Sequence, residues 1–391
     1  MTPFDELQKR IKKLQLAMLS EEIGGTLLVQ RADLFYFSGT GQNAHLFVPS
    51  EGEPILIVKK SLARAREESA LENIIPFEGW DKLITLIAES IPPNSKIGLE
   101  TDVLPANHYF RYQKILAGLK IIDISTLIRR IRSIKSPYEI GLMQEAAKIG
   151  EAVFNHAREI IKAGLSEVQL AGSLEFHART LGHQGAVRMR GFNQELYFGH
   201  IMSGANAATI SFFDGPTGGS GLNPSYPQGA GTAVIKRNEP ILIDFVSILG
   251  GYMVDQTRIY CLGKPSLHLR EAYRLAVLIK DTLAKMGKPG VLASSLYEKA
   301  DEIANKAGLA NHFMGHVEKV SFVGHGVGLE LDELPVIARG LDFPLEQGMV
   351  FALEPKFIFP GEGAVGIEDT FMVDINRLKQ LTVFDDQIQL L

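Results

Sequence analysis

Two stretches of this chain put carboxylates where an apolar strand pattern has little room for charge. In "ILIDFVSILGGYMVDQTRIY" (241–260), Asp244 and Asp255 sit among apolar neighbours on either side of a glycine pair. In "FALEPKFIFPGEGAVGIED" (351–369), Glu354 follows Ala352 and Leu353, and Glu368 follows Ile367. Each reads as a β-hairpin. If Leu249-Gly250 forms the turn, Asp244 lies directly opposite Asp255, and other turn registers shift this pairing by a residue; a loop centred on Gly361 puts Glu354 opposite Glu368. Cross-strand partners lie about 5 Å apart. At that distance in a half-buried sheet, repulsion and desolvation together oppose ionising both acids of a pair. A domain that keeps two such pairs asks for a cation.

A fifth residue joins them. In "SFVGHGVGLELDELP" (321–335) His325 lies between Gly324 and Gly326, and Asp332 precedes Glu333. Taken singly, a strand aspartate is more often an edge or turn residue, and a lone histidine more often a satisfied core or surface group. Their joint occurrence carries the argument. Four carboxylates balance two divalent cations, and hard oxygen donors with one imidazole suit Mn²⁺, Co²⁺, Fe²⁺ or Zn²⁺. Two metals about 3.5–4 Å apart can share a water, lower its pKa and clamp the reacting oxygens. The implied chemistry is hydrolysis of an amide or related bond.

At 391 residues the chain exceeds one core, so two domains are expected. Between Gly24 and Thr126 short apolar runs ("GTLLV", "AHLFVP", "PILIV") alternate with helical patterns, which predicts a small α/β domain. No cluster of His, Asp and Glu converges there. Ser136, Pro137 and Glu139 mark the start of a long helix with Ile140, Met143, Ala147 and Phe154 on one side. The boundary falls just before it, giving domains 1–132 and 133–391. The second region mixes long helices with β-rich stretches, as an α+β domain with an antiparallel sheet does.

The remaining features narrow the function. Leu7, Ile11, Leu14 and Met18 describe an amphipathic helix packed on a core rather than a targeting segment. No stretch approaches the roughly 20 apolar residues of a membrane span. A net charge of −5 offers no general attraction for nucleic acid or an anionic membrane. The single Cys261 excludes an intrachain disulfide and fits a reducing compartment, so the chain reads as cytoplasmic. The Gly- and Pro-rich segment 214–231 is a long loop. It is not a phosphate loop, because no Lys-Ser/Thr pair opens a helix after it.

The order Asp244, Asp255, His325, Glu354, Glu368, with flanks "LIDFVSILGGYMVDQTR", "GHGVGLE", "ALEP" and "GIEDT", resembles the creatinase, prolidase and methionine aminopeptidase family. The linker "RSIKSPYEIGLMQEAA" resembles the segment that joins the two domains of its creatinases and proline peptidases. The resemblance implies an α+β "pita-bread" catalytic domain preceded by a smaller α/β creatinase-like domain. It also implies two divalent ions, manganese first and cobalt, zinc or iron as alternatives. Asp255 and Glu368 would bridge them, with Asp244 and the His325–Glu354 pair completing the sites and Glu354 accepting a proton from water. An Xaa-Pro aminopeptidase or dipeptidase acting on small peptides, as a homodimer, is the activity so implied.

Departures from the family pattern fall around the ligands. Proline-specific members carry further histidines, and here Ser211, Ser321 and Asp332 stand at those places. Gly366 stands where an arginine is frequent. Lost donors and a gained acid alter how a substrate carbonyl or carboxylate is held. Asp332, Ser211, Ser321 and His200 are therefore candidate substrate contacts, with His316 and Tyr226 as further donors. The alternative function is a hydrolase or lyase of a small non-peptide molecule on the same metal site. A non-catalytic binding protein is a third reading, which five retained ligands oppose.

Overall fold

A computed structural model describes all residues, Met1–Leu391, and divides the chain into two compact units, Met1–Arg132 and Ser133–Leu391. In the first unit strands β1 (Ile23–Leu28), β2 (Ala44–Pro49), β3 (Ile55–Val58), β4 (Ile74–Pro76), β5 (Lys96–Leu99) and β6 (Lys120–Asp123) form one sheet in the order β4-β3-β2-β1-β5-β6. Its centre is antiparallel and its flanks are parallel. The helices are α1 (Phe4–Ser20), α2 (Arg31–Ser38), α3 (Leu62–Glu68), α4 (Trp80–Ser90), α5 (Ala106–Ile115) and α6 (Ser125–Ser133). Leu7, Ile11, Leu14 and Met18 of α1 recur at helical spacing and are all buried, so this helix is part of the core. Strand–helix alternation had predicted this α/β layout.

The second unit begins with α7 (Pro137–Ile160), whose N-terminus carries the full capping box: the Ser136 side chain accepts from the Glu139 N–H, and Glu139 reaches back to the Ser136 N–H. Met143, Ala146, Val153, Phe154 and Ala157 form its buried face. Next come α8 (Glu167–Thr180), β7 (Gly199–Ser203), β8 (Ile241–Leu249) and β9 (Tyr252–Cys261). The helices α9 (Leu267–Met286) and α10 (Ala293–Lys306) follow, then β10 (Phe322–Gly326), β11 (Glu333–Ala338), β12 (Val350–Leu353), β13 (Lys356–Phe359), β14 (Gly363–Gly366), β15 (Asp369–Val373), β16 (Leu378–Gln380) and β17 (Gln389–Leu390).

These strands build sheets β17-β9-β8-β7 and β11-β10-β12-β15-β16 and the ribbon β13-β14, antiparallel except where β17 joins β9. The bridge Thr257↔Glu368 ties the first sheet to the second. No helix of the chain is long and apolar enough to cross a membrane.

The first hairpin departs from the expected register. Its two-residue turn is Gly250-Gly251, with φ of 58° and 88°, so Asp244 faces Thr257 and Asp255 faces Val246. A tight hairpin turn of this kind needs positive φ at both central residues, and two glycines supply it where Leu249 would be strained. The turn slides by one residue and the pairing by two, so both aspartates stay on one face as diagonal neighbours. The second hairpin keeps the expected register: Lys356 pairs with Gly366 in β13-β14, and Leu353 with Asp369 in β12-β15. Glu354 and Glu368 occupy corresponding positions at the break between these ladders.

Candidate metal centre

The five residues singled out by the hairpins and the glycine-flanked histidine come together in the second unit. Asp244 lies on β8, Asp255 on β9 and His325 on β10; Glu354 follows β12 and Glu368 precedes β15. His325 Nδ1 lies 2.8 Å from the Leu331 carbonyl, to which it donates, so Nε2 is the nitrogen turned toward the carboxylates. Nε2 stands 3.9 Å from Asp255 Oδ2, 3.7 Å from Glu354 Oε1 and 3.7 Å from Glu368 Oε1. These gaps exceed a hydrogen bond. They approach the spacing of about 3.4 Å expected between ligands around one tetrahedral ion. Asp255, His325 and Glu368 offer ligand atoms within 4.8 Å of one another, and buried Glu368 Oε1 has no hydrogen-bond partner. An acceptor-rich pocket with an orphaned oxygen fits a divalent cation.

A sixth residue, missed at the level of sequence, completes the cluster. Lys356 Nζ donates to Glu354 Oε2 at 2.8 Å, Glu368 Oε2 at 2.8 Å and Asp244 Oδ2 at 3.1 Å. Its signal was present: in "ALEPKFIF" the lysine follows Glu354 by two, the spacing that returns a side chain to one face of extended chain. Burial works against the Lys356 ammonium, but the three carboxylates outweigh it and push its pKa well above the usual lysine value.

The field of this pocket seeks positive charge. Burial, then Glu368 and Asp244, raise the Asp255 carboxyl well above the ordinary range. His325 is opposed by burial yet pulled up to about 10 by Glu368, Glu354 and Asp255. Glu368 is drawn down to about 2: burial would raise it, and Lys356 and His325 more than offset that.

Polar side chains behind the cluster fix its geometry. Thr257 Oγ1 donates to Glu368 Oε2 at 2.8 Å, the Asp255 N–H donates to Thr370 Oγ1 at 2.9 Å, and the Gln256 N–H donates to Asp255 Oδ1 at 2.9 Å. Asp369 points the other way. It accepts from Arg258, Lys280, Thr382 and Gln256.

Of the candidate substrate contacts, His200 adjoins the centre through Asp244. His200 on β7 pairs with Asp244, is 9% exposed and leaves Nε2 without a partner. Burial first and Lys356 second lower its pKa to about 4, so it is neutral near pH 7. Gly229 of the long loop lies over its ring: a Cβ there would stand 3.1 Å from the ring carbon, and φ is +78°. Asp332 is half-buried, and its Oδ1 accepts from the Arg190 N–H at 2.9 Å. Ser211 Oγ accepts from the Phe213 N–H at 3.3 Å within its own loop. Ser321 is exposed at the head of β10. Tyr226 donates to the Glu195 carbonyl at 2.8 Å, and His316 lies beside His312 with Nδ1 buried and unpartnered.

Fold and site together define a metallohydrolase class with a small α/β domain ahead of the catalytic unit. The sequence profile of metallopeptidase family M24 matches residues 141–374, and that of the creatinase/prolidase N-terminal domain matches residues 10–134. The chain belongs to metallopeptidase family M24 and has that family's pita-bread α+β catalytic fold with a creatinase-like N-terminal domain. It is 26% identical to an Xaa-Pro dipeptidase of Pyrococcus furiosus over 380 residues, covering 96% of this chain and 98% of that one. An uncharacterized peptidase, YqhT of Bacillus subtilis, is 27% identical over 379 residues, covering 95% and 97%. Among solved structures, an Xaa-Pro dipeptidase from Bacillus anthracis superposes with a TM-score of 0.84 at 25% identity, covering 98% and 100%. A prolidase from Pyrococcus horikoshii gives 0.80 at 25%, covering 96% and 99%.

Proposed function

We propose that this chain is a metal-dependent Xaa-Pro peptidase, with residues 1–132 as its N-terminal domain and 133–391 as its catalytic domain. One observation carries the reading: an imidazole nitrogen faces three carboxylate oxygens at 3.7–3.9 Å in a member of a metallopeptidase family. Asp244, Asp255, His325, Glu354 and Glu368 are the proposed ligand set, and manganese is the ion the resemblance favours. The relatives described above are all named as peptidases, which supports a peptide substrate over the small-molecule alternative. A homodimer in the cytoplasm completes the proposal, resting on the family resemblance and the single cysteine.

A divalent ion so held supplies a positive charge that acidifies water and polarises the scissile carbonyl. The chain's own groups do the rest. Leu331 holds the His325 ring by its Nδ1–H, keeping Nε2 directed at the carboxylates. Glu354 has one oxygen at the centre and the other against Lys356, and Oε1 is the proposed acceptor of the water proton. Neutral His200, across the ladder from Asp244, is a proposed hydrogen-bond partner of the bound peptide.

The test is turnover of a panel of Xaa-Pro dipeptides and longer Xaa-Pro peptides. Free amino acid should be released, activity should vanish on chelation, and Mn²⁺ should restore it. Metal-loaded protein that cleaves none of these peptides would sink the proposal. How many ions the centre takes turns on Lys356.

A further inference from the structure

The two glutamates of the centre each divide their oxygens. Glu354 and Glu368 turn Oε1 toward His325 Nε2, at 3.7 Å each, and Oε2 toward Lys356 Nζ, at 2.8 Å each. Asp244 Oδ2 adds a third contact to the same ammonium at 3.1 Å. An ammonium has three donors, and here all three are used. On one side of the glutamates, the imidazole nitrogen faces Asp255, Glu354 and Glu368 oxygens at 3.7–3.9 Å. On the other, the space between Asp244, Glu354 and Glu368 is filled by a positive charge that the chain carries itself.

The lysine is built into this position. Its side chain is 2% exposed, and its backbone is held on β13. Its partner across the ladder is Gly366, where an ideal Cβ would stand 2.6 Å from Lys356 Cγ. Any side chain at 366 would collide with the lysine stem.

We infer that Lys356 takes the place of one of two metal ions, so that the centre holds a single divalent ion between Asp255, His325, Glu354 and Glu368. The inference rests on the metal-dependent reading above and narrows it in stoichiometry and ligand set: Asp244 is held by Lys356 in place of a second ion. Glu354 and Glu368 bridge an ion and an ammonium rather than two ions. The ammonium cannot be chelated and cannot acidify a bound water as a divalent ion does. It neutralises charge and fixes the outer oxygens of both glutamates.

The experiment is a metal titration of chelator-treated, full-length protein with Mn²⁺, read by elemental analysis after removal of free ion and by the electron paramagnetic resonance of the bound manganese. Wild type should retain about one ion per chain, with the resolved hyperfine pattern of an isolated Mn²⁺. K356G should retain about two, with the broadened signal of a coupled pair. K356A also removes the ammonium and the outer stem while keeping a Cβ on the strand; should K356G fail to fold, it carries the same expectation. Two coupled ions in wild type would overturn the inference alone, because the lysine would then have turned aside. One ion in wild type and in the folded variants would overturn it too, since Lys356 would not be what excludes the second. No ion in wild type would overturn both the inference and the metal-dependent reading beneath it.

Discussion

Two clusters of buried charge lie back to back in the second unit, and they are balanced in opposite ways. Behind the β9–β15 contact, Asp369 receives Arg258 Nη2 at 3.0 Å, Lys280 Nζ at 3.2 Å and the hydroxyl of Thr382 at 2.8 Å, with Asp386 as a second acid for both cations. In front, Asp244, Asp255, Glu354 and Glu368 share one ammonium and one imidazole, and Glu368 Oε1 has no donor at all. Glu368 and Asp369 are consecutive and face opposite clusters. A cluster complete in protein donors is structural; one short of positive charge is built for something the chain does not encode.

Removing an acid from each side should break the symmetry most visibly. E354Q should lower kcat on an Xaa-Pro dipeptide by about 10²–10⁴ while the fold survives, if its carboxylate takes the proton. A steady-state assay with metal saturating checks this, and a loss below tenfold would assign the proton elsewhere. D369N leaves Arg258 and Lys280 buried with half their counter-charge. It should cost about 3–5 kcal/mol in urea unfolding. D255N should do the reverse, weakening Mn²⁺ binding more than the 10–100-fold typical of outer partners while leaving the metal-free protein no less stable. Calorimetric titration beside a melt of each variant decides. If D369N abolished metal binding without loss of stability, the division into structural and functional clusters would fail.

His45 sharpens the comparison, because it is buried with no acid to balance it. Burial first, then Lys59 and His108, lower its pKa from 6.5 to about 3, and its Nε2 lies 2.8 Å from the Tyr112 hydroxyl. The unfolded chain takes up this proton more readily than the folded one, so stability rises with pH in this window. The contribution is complete above pH 6.5 and is lost progressively as pH falls toward 3. H45Q should flatten that part of the stability–pH curve, and an unchanged slope would show that other groups set it. The smallest effect belongs to the hairpin that aims the two aspartates: G251A, at φ of 88°, should cost about 1–2 kcal/mol by denaturant titration.

Much of this layout was legible from local rules. The capping box at Ser136 and the α1 stripe need only neighbours three or four residues away. The shared face of Asp244 and Asp255 survived a misplaced turn because a two-residue shift in pairing preserves strand parity. The turn is set by the positive φ that Gly250-Gly251 can adopt, and not by the symmetry of the acids. Lys356 is not legible by ligand chemistry, because an ammonium has no lone pair to offer a metal. Asp332 shows a different boundary. Its partner is the backbone of Arg190, 142 residues away, and no local pattern encodes that contact.

The imidazole of His325 is oriented by a carbonyl, that of Leu331, and a carbonyl belongs to every residue alike. Substitution of side chains between 326 and 332 leaves that acceptor in place so long as the backbone keeps its path. The side chains of this segment, Asp332 among them, can therefore change without releasing Nδ1 of His325.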